Sequence, residues 1–157
     1  MLQQPDEAPD EASFHRYTVD LPQAMIGRVD ALADEAGRLM KCDVTRATLF
    51  RAAFLFWLAR REATSPKYII QEIHEAAPLE HTLLQRTKPG WSNELNERLL
   101  ALSARLDVKI SHSAAGVRSA LLLAALRFWL SPTEDDPRKA FDTIRAGLVK
   151  RGRKPKR

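Results

Sequence analysis

An eight-residue stretch, FHRYTVDL at 14–21, alternates in character: Tyr17, Val19 and Leu21 fall on one face, Arg16, Thr18 and Asp20 on the other. β-Branched and aromatic residues at a period of two mark a half-buried strand. A single strand of this length has no stability alone. The chain must bring a second strand to it, and that requirement governs how the remaining sequence can fold.

Beyond the strand the pattern turns helical. Pro22 suits a first helical position, where no N–H is needed. Met25, Val29, Leu32, Ala36 and Leu39 or Met40 then recur at steps of four and three, one stripe of an amphipathic helix whose end Gly37 loosens. Thr45 is a good N-cap for a second helix reaching about Arg61. That helix carries Leu49, Phe50, Ala53, Phe54, Trp57 and Leu58, with Leu55 and Phe56 beside them. It is apolar round much of its circumference, so it must be buried on several sides or lie at a partner interface. Ser65-Pro66 breaks the pattern, and 67–76 reads as a short helix with Ile69, Ile70 and Ile73 inward, ended by Pro78. Glu72, Glu75 and Glu80 in this connector read as a solvated face.

The pattern then recurs. Leu95, Leu99, Leu102 and Leu106 stand 70 residues after Met25, Val29, Leu32 and Ala36. In the second helices, Phe50-Arg51 matches Val117-Arg118 at an offset of 67, and Phe56-Trp57-Leu58 matches Phe128-Trp129-Leu130 at 72. The turn and the helix length therefore differ between copies. The repeated strand holds Pro89 and Gly90, so only Arg86 to Trp91 is expected to pair. After Ser131-Pro132, Asp136 can cap a last helix with Pro137 in its first turn and Ala140 or Phe141, Ile144 and Leu148 inward.

Charge is concentrated at the ends. Lys and Arg number 25 against 20 acids, and six of those bases lie in the last eight residues, KRGRKPKR. Four acids lie in the first thirteen. A basic tail is the footprint of a polyanionic partner, or else a solubilising terminus. The one cysteine, Cys42, excludes an intramolecular disulfide and suits a reducing cytoplasm. No window is long and apolar enough for a membrane span, and the acidic N-terminus lacks the apolar core of a secretory signal.

RYTVDLP, a helix ending ALADEAG, and DVTRATLFRAAFLFWL together resemble the ribbon-helix-helix family of DNA-binding proteins, the Arc, MetJ and CopG class. NELNERLLALSARLDV and VRSAL at 117–121 resemble the family's first and second helices again, so the chain resembles its tandem single-chain members. The resemblance implies a mostly α fold in which two ribbon-helix-helix units pair through a two-stranded antiparallel β-ribbon. The expected organisation is an acidic disordered arm at 1–13, unit 1 at 14–62, a connector at 63–83, a degenerate unit 2 at 84–131, a C-terminal helix at 132–149 and a basic tail at 150–157. Tyr17, Val19 and Leu21, with Thr87 and Trp91, would seal the ribbon onto the helices.

The implied ligand is double-stranded DNA, since a two-stranded ribbon fits the major groove, where base edges are distinguishable. The implied base contacts are Arg16, Thr18, Asp20, Arg86 and Lys88. Asp20 either accepts from a cytosine amine or forms a salt bridge with Arg16 or Lys88, and the salt bridge is the favoured alternative. The implied phosphate contacts are Thr45 and Arg46 at one helix start and Ser111 and Ser113 at the other. Lys150, Arg151, Arg153 and Lys154 extend them; this tail resembles an AT-hook with Lys154 inserted before the proline, or is a non-specific phosphate binder. The chain is expected to act as an intramolecular pseudo-dimer, with a homodimer or a cooperative oligomer on DNA as alternatives. Such a protein would be a repressor or an accessory factor in plasmid transfer or partition.

No catalytic chemistry is legible. His15, His74, His81 and His112 are scattered, so no metal site is expected, and phosphate-loop, dinucleotide and nucleophile-elbow motifs are absent. The expectation is no enzyme and no cofactor. The rival reading is a helical interaction module, an antitoxin or adaptor, whose apolar second helices form the partner surface.

Overall fold

The computed structural model describes residues 14–106 and 114–148. The arm at 1–13, Ser111 and Ser113, and the tail with Lys150, Arg151, Arg153 and Lys154 lie outside them.

The alternating stretch finds its partner 70 residues on. Strand β1 (Phe14–Arg16) pairs antiparallel with β4 (Gly90–Ser92), and β2 (Val19–Pro22) with β3 (Leu84–Thr87). The partners Phe14↔Ser92, Arg16↔Gly90, Val19↔Thr87 and Pro22↔Leu84 keep one register throughout. Pairing is thus longer than the expected Arg86 to Trp91. The ladder lapses where Tyr17-Thr18 faces Lys88-Pro89; the proline has no N–H to give, although its carbonyl accepts from the Tyr17 N–H at 2.9 Å. Val19, Leu21 and Trp91 are fully buried under this ribbon, and Tyr17 stacks on Trp91 with ring centroids 5.0 Å apart.

Helix α1 (Gln23–Met40) continues directly from the ribbon. It buries Ile26, Val29, Leu32, Ala33 and Ala36, so Ile26 rather than Met25 leads its inner stripe. Gly37 does not loosen the helix, which runs on to Met40. The returning chain crosses it closely, and a Cβ at Gly37 would stand 3.0 Å from the Cys42 carbonyl. Helix α2 (Arg46–Arg61) is buried on several sides, with Phe50, Phe54, Trp57 and Leu58 at 0 % exposure. Each such side chain contributes about 1.5–3 kcal/mol through removal from water. Helix α3 (Pro66–Ala76) lies in the expected connector, yet Ile69 and Ile73 join the same core and it packs on α5. Glu72 corrects the reading of a solvated face. It accepts from Trp57 Nε1 and from Arg61 Nε and Nη2, each at 2.8 Å.

Helix α4 (Asn93–Arg105) buries Leu95, Leu99 and Leu102, with Leu106 just beyond, as their spacing predicts. Helix α5 (Ala114–Asp135) buries Leu121 to Leu126 without a gap. It does not stop at Pro132. Trp129, Leu130 and Thr133 are buried on either side of the proline, and that packing outweighs one lost backbone bond. The expected last helix is accordingly shorter: a 3₁₀ turn at Pro137–Ala140 leads into α6 (Phe141–Gly147), and Asp136 makes no side-chain cap.

Two ion pairs and an aromatic contact tie the earlier and later parts of the chain together. Arg28 on α1 grips Glu134 near the end of α5 at 3.1 and 2.7 Å. Arg98 on α4 grips Glu62, just past α2, at 3.0 and 2.8 Å. Phe56 and Phe128 meet with centroids 5.8 Å apart.

Candidate nucleic-acid interface

Strand alternation puts positions 16, 18, 20, 86, 88 and 90 on the face away from the helices. Arg16, Arg86 and Lys88 are exposed there, and Thr18 and Asp20 are half-buried. The pairing sets Arg16 opposite Gly90 and Asp20 opposite Arg86, and the same register carried across the break sets Thr18 opposite Lys88. Asp20 does form a salt bridge, but with Arg86 rather than Arg16 or Lys88. The reason is register: only Arg86 stands directly across from it. Arg86 Nε and Nη2 reach its two carboxylate oxygens at 3.0 and 3.2 Å. These bonds hold the Asp20 carboxyl below its ordinary value, against the opposing effect of partial burial. Among the described residues, no acid is paired with Arg16.

The ribbon is fixed from beneath by side chains of α2 and α5. Arg51 of α2 donates from Nη1 to the Gly90 carbonyl and from Nε to the Gly147 carbonyl, both at 2.7 Å. Ser119 of α5 accepts from the Asp20 N–H at 2.8 Å. Arg118 lies 4.5 Å over the Tyr17 ring and donates to Asn96 Oδ1 at 2.8 Å. A signal for the two arginines is present in the sequence, since Arg51 and Arg118 hold matched places in the two apolar helices.

The start of α2 presents its N–H groups beside one end of the ribbon. Thr45 caps it, accepting from the Thr48 N–H at 3.2 Å while Thr48 Oγ1 accepts from the Thr45 N–H at 3.3 Å. Thr45 is nonetheless exposed. A cleft of about 450 Å³ lies between this helix start and the ribbon, lined among others by His15, Arg16, Asp43, Thr45 and Lys88. Arg16, Lys88 and Thr45 therefore converge. Leu148 lines the same cleft, two residues before the basic run begins.

Neither a family model, nor a curated protein, nor a solved structure matches this chain.

Arg46 is placed differently from its neighbour Thr45. Its guanidinium bonds both oxygens of Asp30, at 2.9 and 2.7 Å, and donates to Thr87 Oγ1 at 3.1 Å. The pair lowers the Asp30 carboxyl and ties α2 to α1 and β3. Arg46 thus serves the scaffold under the ribbon and has less freedom than the exposed Arg16 and Lys88. Among the described residues, no group of three or more His, Cys, Asp or Glu side chains is placed to hold a metal ion, and no helix is long and apolar enough to cross a membrane.

Proposed function

We propose that this chain is a sequence-specific double-stranded DNA-binding protein built from two ribbon-helix-helix units in one polypeptide. The observation that carries the reading is the ribbon. Residues 14–22 and 84–92 pair in a single antiparallel register, apolar toward the helices and bearing Arg16, Thr18, Arg86 and Lys88 away from them. A two-stranded ribbon matches the roughly 12 Å width of the B-DNA major groove, where guanine offers two acceptors to an arginine. The cross-contacts support the tandem arrangement. Arg28 and Arg98 stand 70 apart, Glu62 and Glu134 stand 72 apart, and each arginine grips the glutamate of the other half. Phosphates would be met at the α2 start near Thr45 and by the tail. The biological role would be repression or service at a plasmid transfer or partition site.

The test is a mobility-shift titration of the full chain on random-sequence duplex at several salt concentrations. Binding that weakens steeply with salt supports the reading. Selection from that pool should enrich one sequence. Salt-insensitive or absent duplex binding sinks it.

One observation favours the second reading, an interaction module. Leu79, Leu83 and Leu84 are 83, 71 and 48 % exposed on the 77–84 segment. The apolar second helices do not offer a partner surface, because Phe50, Phe54, Trp57 and Leu121 to Leu126 lie inside the core. A chain that ignores duplex at low salt but co-purifies with one protein, and loses it on Leu83→Ser, would select this reading.

A further inference from the structure

The two halves of the ribbon are not equivalent, and the difference comes down to one carboxylate. Arg16 and Arg86 stand at matched positions, 70 residues apart. Their cross-strand partners are also matched, Gly90 for Arg16 and Asp20 for Arg86. Gly90 has no side chain to offer, and Arg16 is left exposed. Asp20 offers two oxygens, and Arg86 Nε and Nη2 take both. Asp20 is itself held in place: its N–H donates to Ser119 Oγ at 2.8 Å, and only about a third of its side chain is exposed.

An arginine reads guanine through two parallel N–H donors. In Arg86, the Nε and Nη2 edge that would make that fork is occupied, and its charge is largely cancelled toward phosphates. In Arg16 the same edge is open.

Resting on the DNA-binding reading above, we infer that Asp20 is a specificity-determining positioning residue: it silences Arg86, so the chain reads a non-palindromic duplex with its guanine contact in the Arg16 half alone. The ligand is a site with one strong and one weak half. An inverted repeat, which two identical subunits would require, is not needed.

The experiment uses the full chain. Duplexes are selected from a random pool by the wild type and by Asp20→Ala, Arg16→Ala, Arg86→Ala and Gly90→Asp. Affinities for the wild-type site are then measured at one salt concentration. Arg16→Ala should lose about 5- to 150-fold, the worth of one bidentate guanine contact. Arg86→Ala should change affinity by less than about threefold, because its fork makes no base contact to lose. Asp20→Ala frees Arg86, so its selected site should gain a guanine preference at the mirrored position in the other half. Gly90→Asp builds the reciprocal pair and should erase the Arg16 preference. A Cβ there meets only ordinary contacts, 3.5 Å from the His15 carbonyl and 3.8 Å from Phe14 Cβ, so the fold tolerates it. A wild-type site with equal halves, an Arg86→Ala loss as large as that of Arg16→Ala, or an Asp20→Ala site identical to the wild-type site would each overturn the inference and leave DNA binding standing. Absence of salt-sensitive duplex binding in the wild type would overturn both.

Discussion

Arg51 is only 7 % exposed, and its guanidinium joins three parts of the chain. One donor goes to the ribbon at Gly90, another to the end of α6 at Gly147, and the plane lies 5.1 Å from the Phe14 ring. Arg51→Met would leave two carbonyls without their charged donor, a cost of about 2–4 kcal/mol. Arg51→Lys should recover less than half of that, because an ammonium lacks the fork that spans two acceptors. Urea unfolding checks both, and a loss under about 1 kcal/mol for the methionine variant would remove Arg51 from the scaffold. The carboxylates give a second prediction at this scale. Guanidinium bonds from Arg86, Arg46 and Arg98 lower Asp20, Asp30 and Glu62 respectively. A group lowered on folding stabilises the fold fully above its unfolded value, about 4, and that stability is lost as pH falls through the lowered one. The three side chains are 34, 45 and 42 % exposed, so solvent screening keeps each contribution small. For the Asp30 and Glu62 pairs it is about 1 kcal/mol or less. The urea midpoint should hold from about pH 7 to about pH 5 and fall below about pH 4, and Asp30→Asn should shrink the fall. A midpoint that rises on acidification contradicts the sign.

At the scale of elements, legibility tracks periodicity and fails where packing overrules it. The leucines of α4 stand out because a 70-residue echo doubles a weak signal. The Thr45 cap is legible because hydroxyl capping is local chemistry. The sequence alone cuts α5 short because proline is a local stop sign, whereas burial of Trp129, Leu130 and Thr133 is a property of the assembled core. Glu72 cannot be placed from sequence, since nothing local reveals that Trp57 and Arg61 face it across a helix interface. The same limit hides Asp20's partner: a strand's own pattern gives its faces, and only the register gives who stands opposite. Helix α6 has the stripe of a free amphipathic helix, yet it lies tightly along α2. A Cβ at Gly147 would collide with the Thr48 carbonyl and approach Ala52 N to 2.9 Å and Ala52 Cβ to 3.1 Å. Those are mostly backbone atoms, which cannot step aside cheaply. Gly147→Ala should therefore lever α6 off α2 and destabilise the chain by about 1–3 kcal/mol. Hydrogen exchange should show faster exchange at 141–147 than in the wild type. Unchanged protection there would mean that α6 adjusts without loss.

For the whole molecule, the decisive question is whether the ribbon needs a second chain. A strand that can pair only with a copy of itself would force a dimer, and its core would remain open until one formed. Here 14–22 pairs with 84–92 of the same polypeptide, and the buried residues of both halves and of α3 and α6 form one cluster. Further contacts between the first and second parts of the sequence also lie within the one chain: Arg28 with Glu134, Arg98 with Glu62, and Phe56 with Phe128. Helices α2 and α5 cover each other, so their apolar faces are not offered to a second copy. The free chain should therefore be a monomer at micromolar concentration, with a light-scattering mass of 17.8 kDa. Its unfolding midpoint should not move with protein concentration, whereas an obligate dimer gains stability by mass action. Any duplex complex at stoichiometric concentration should then contain one chain per site. A dimeric mass, or a midpoint that climbs with concentration, would show that strand pairing between molecules competes with the internal ribbon, and the one-chain reading of a two-half site would fail with it.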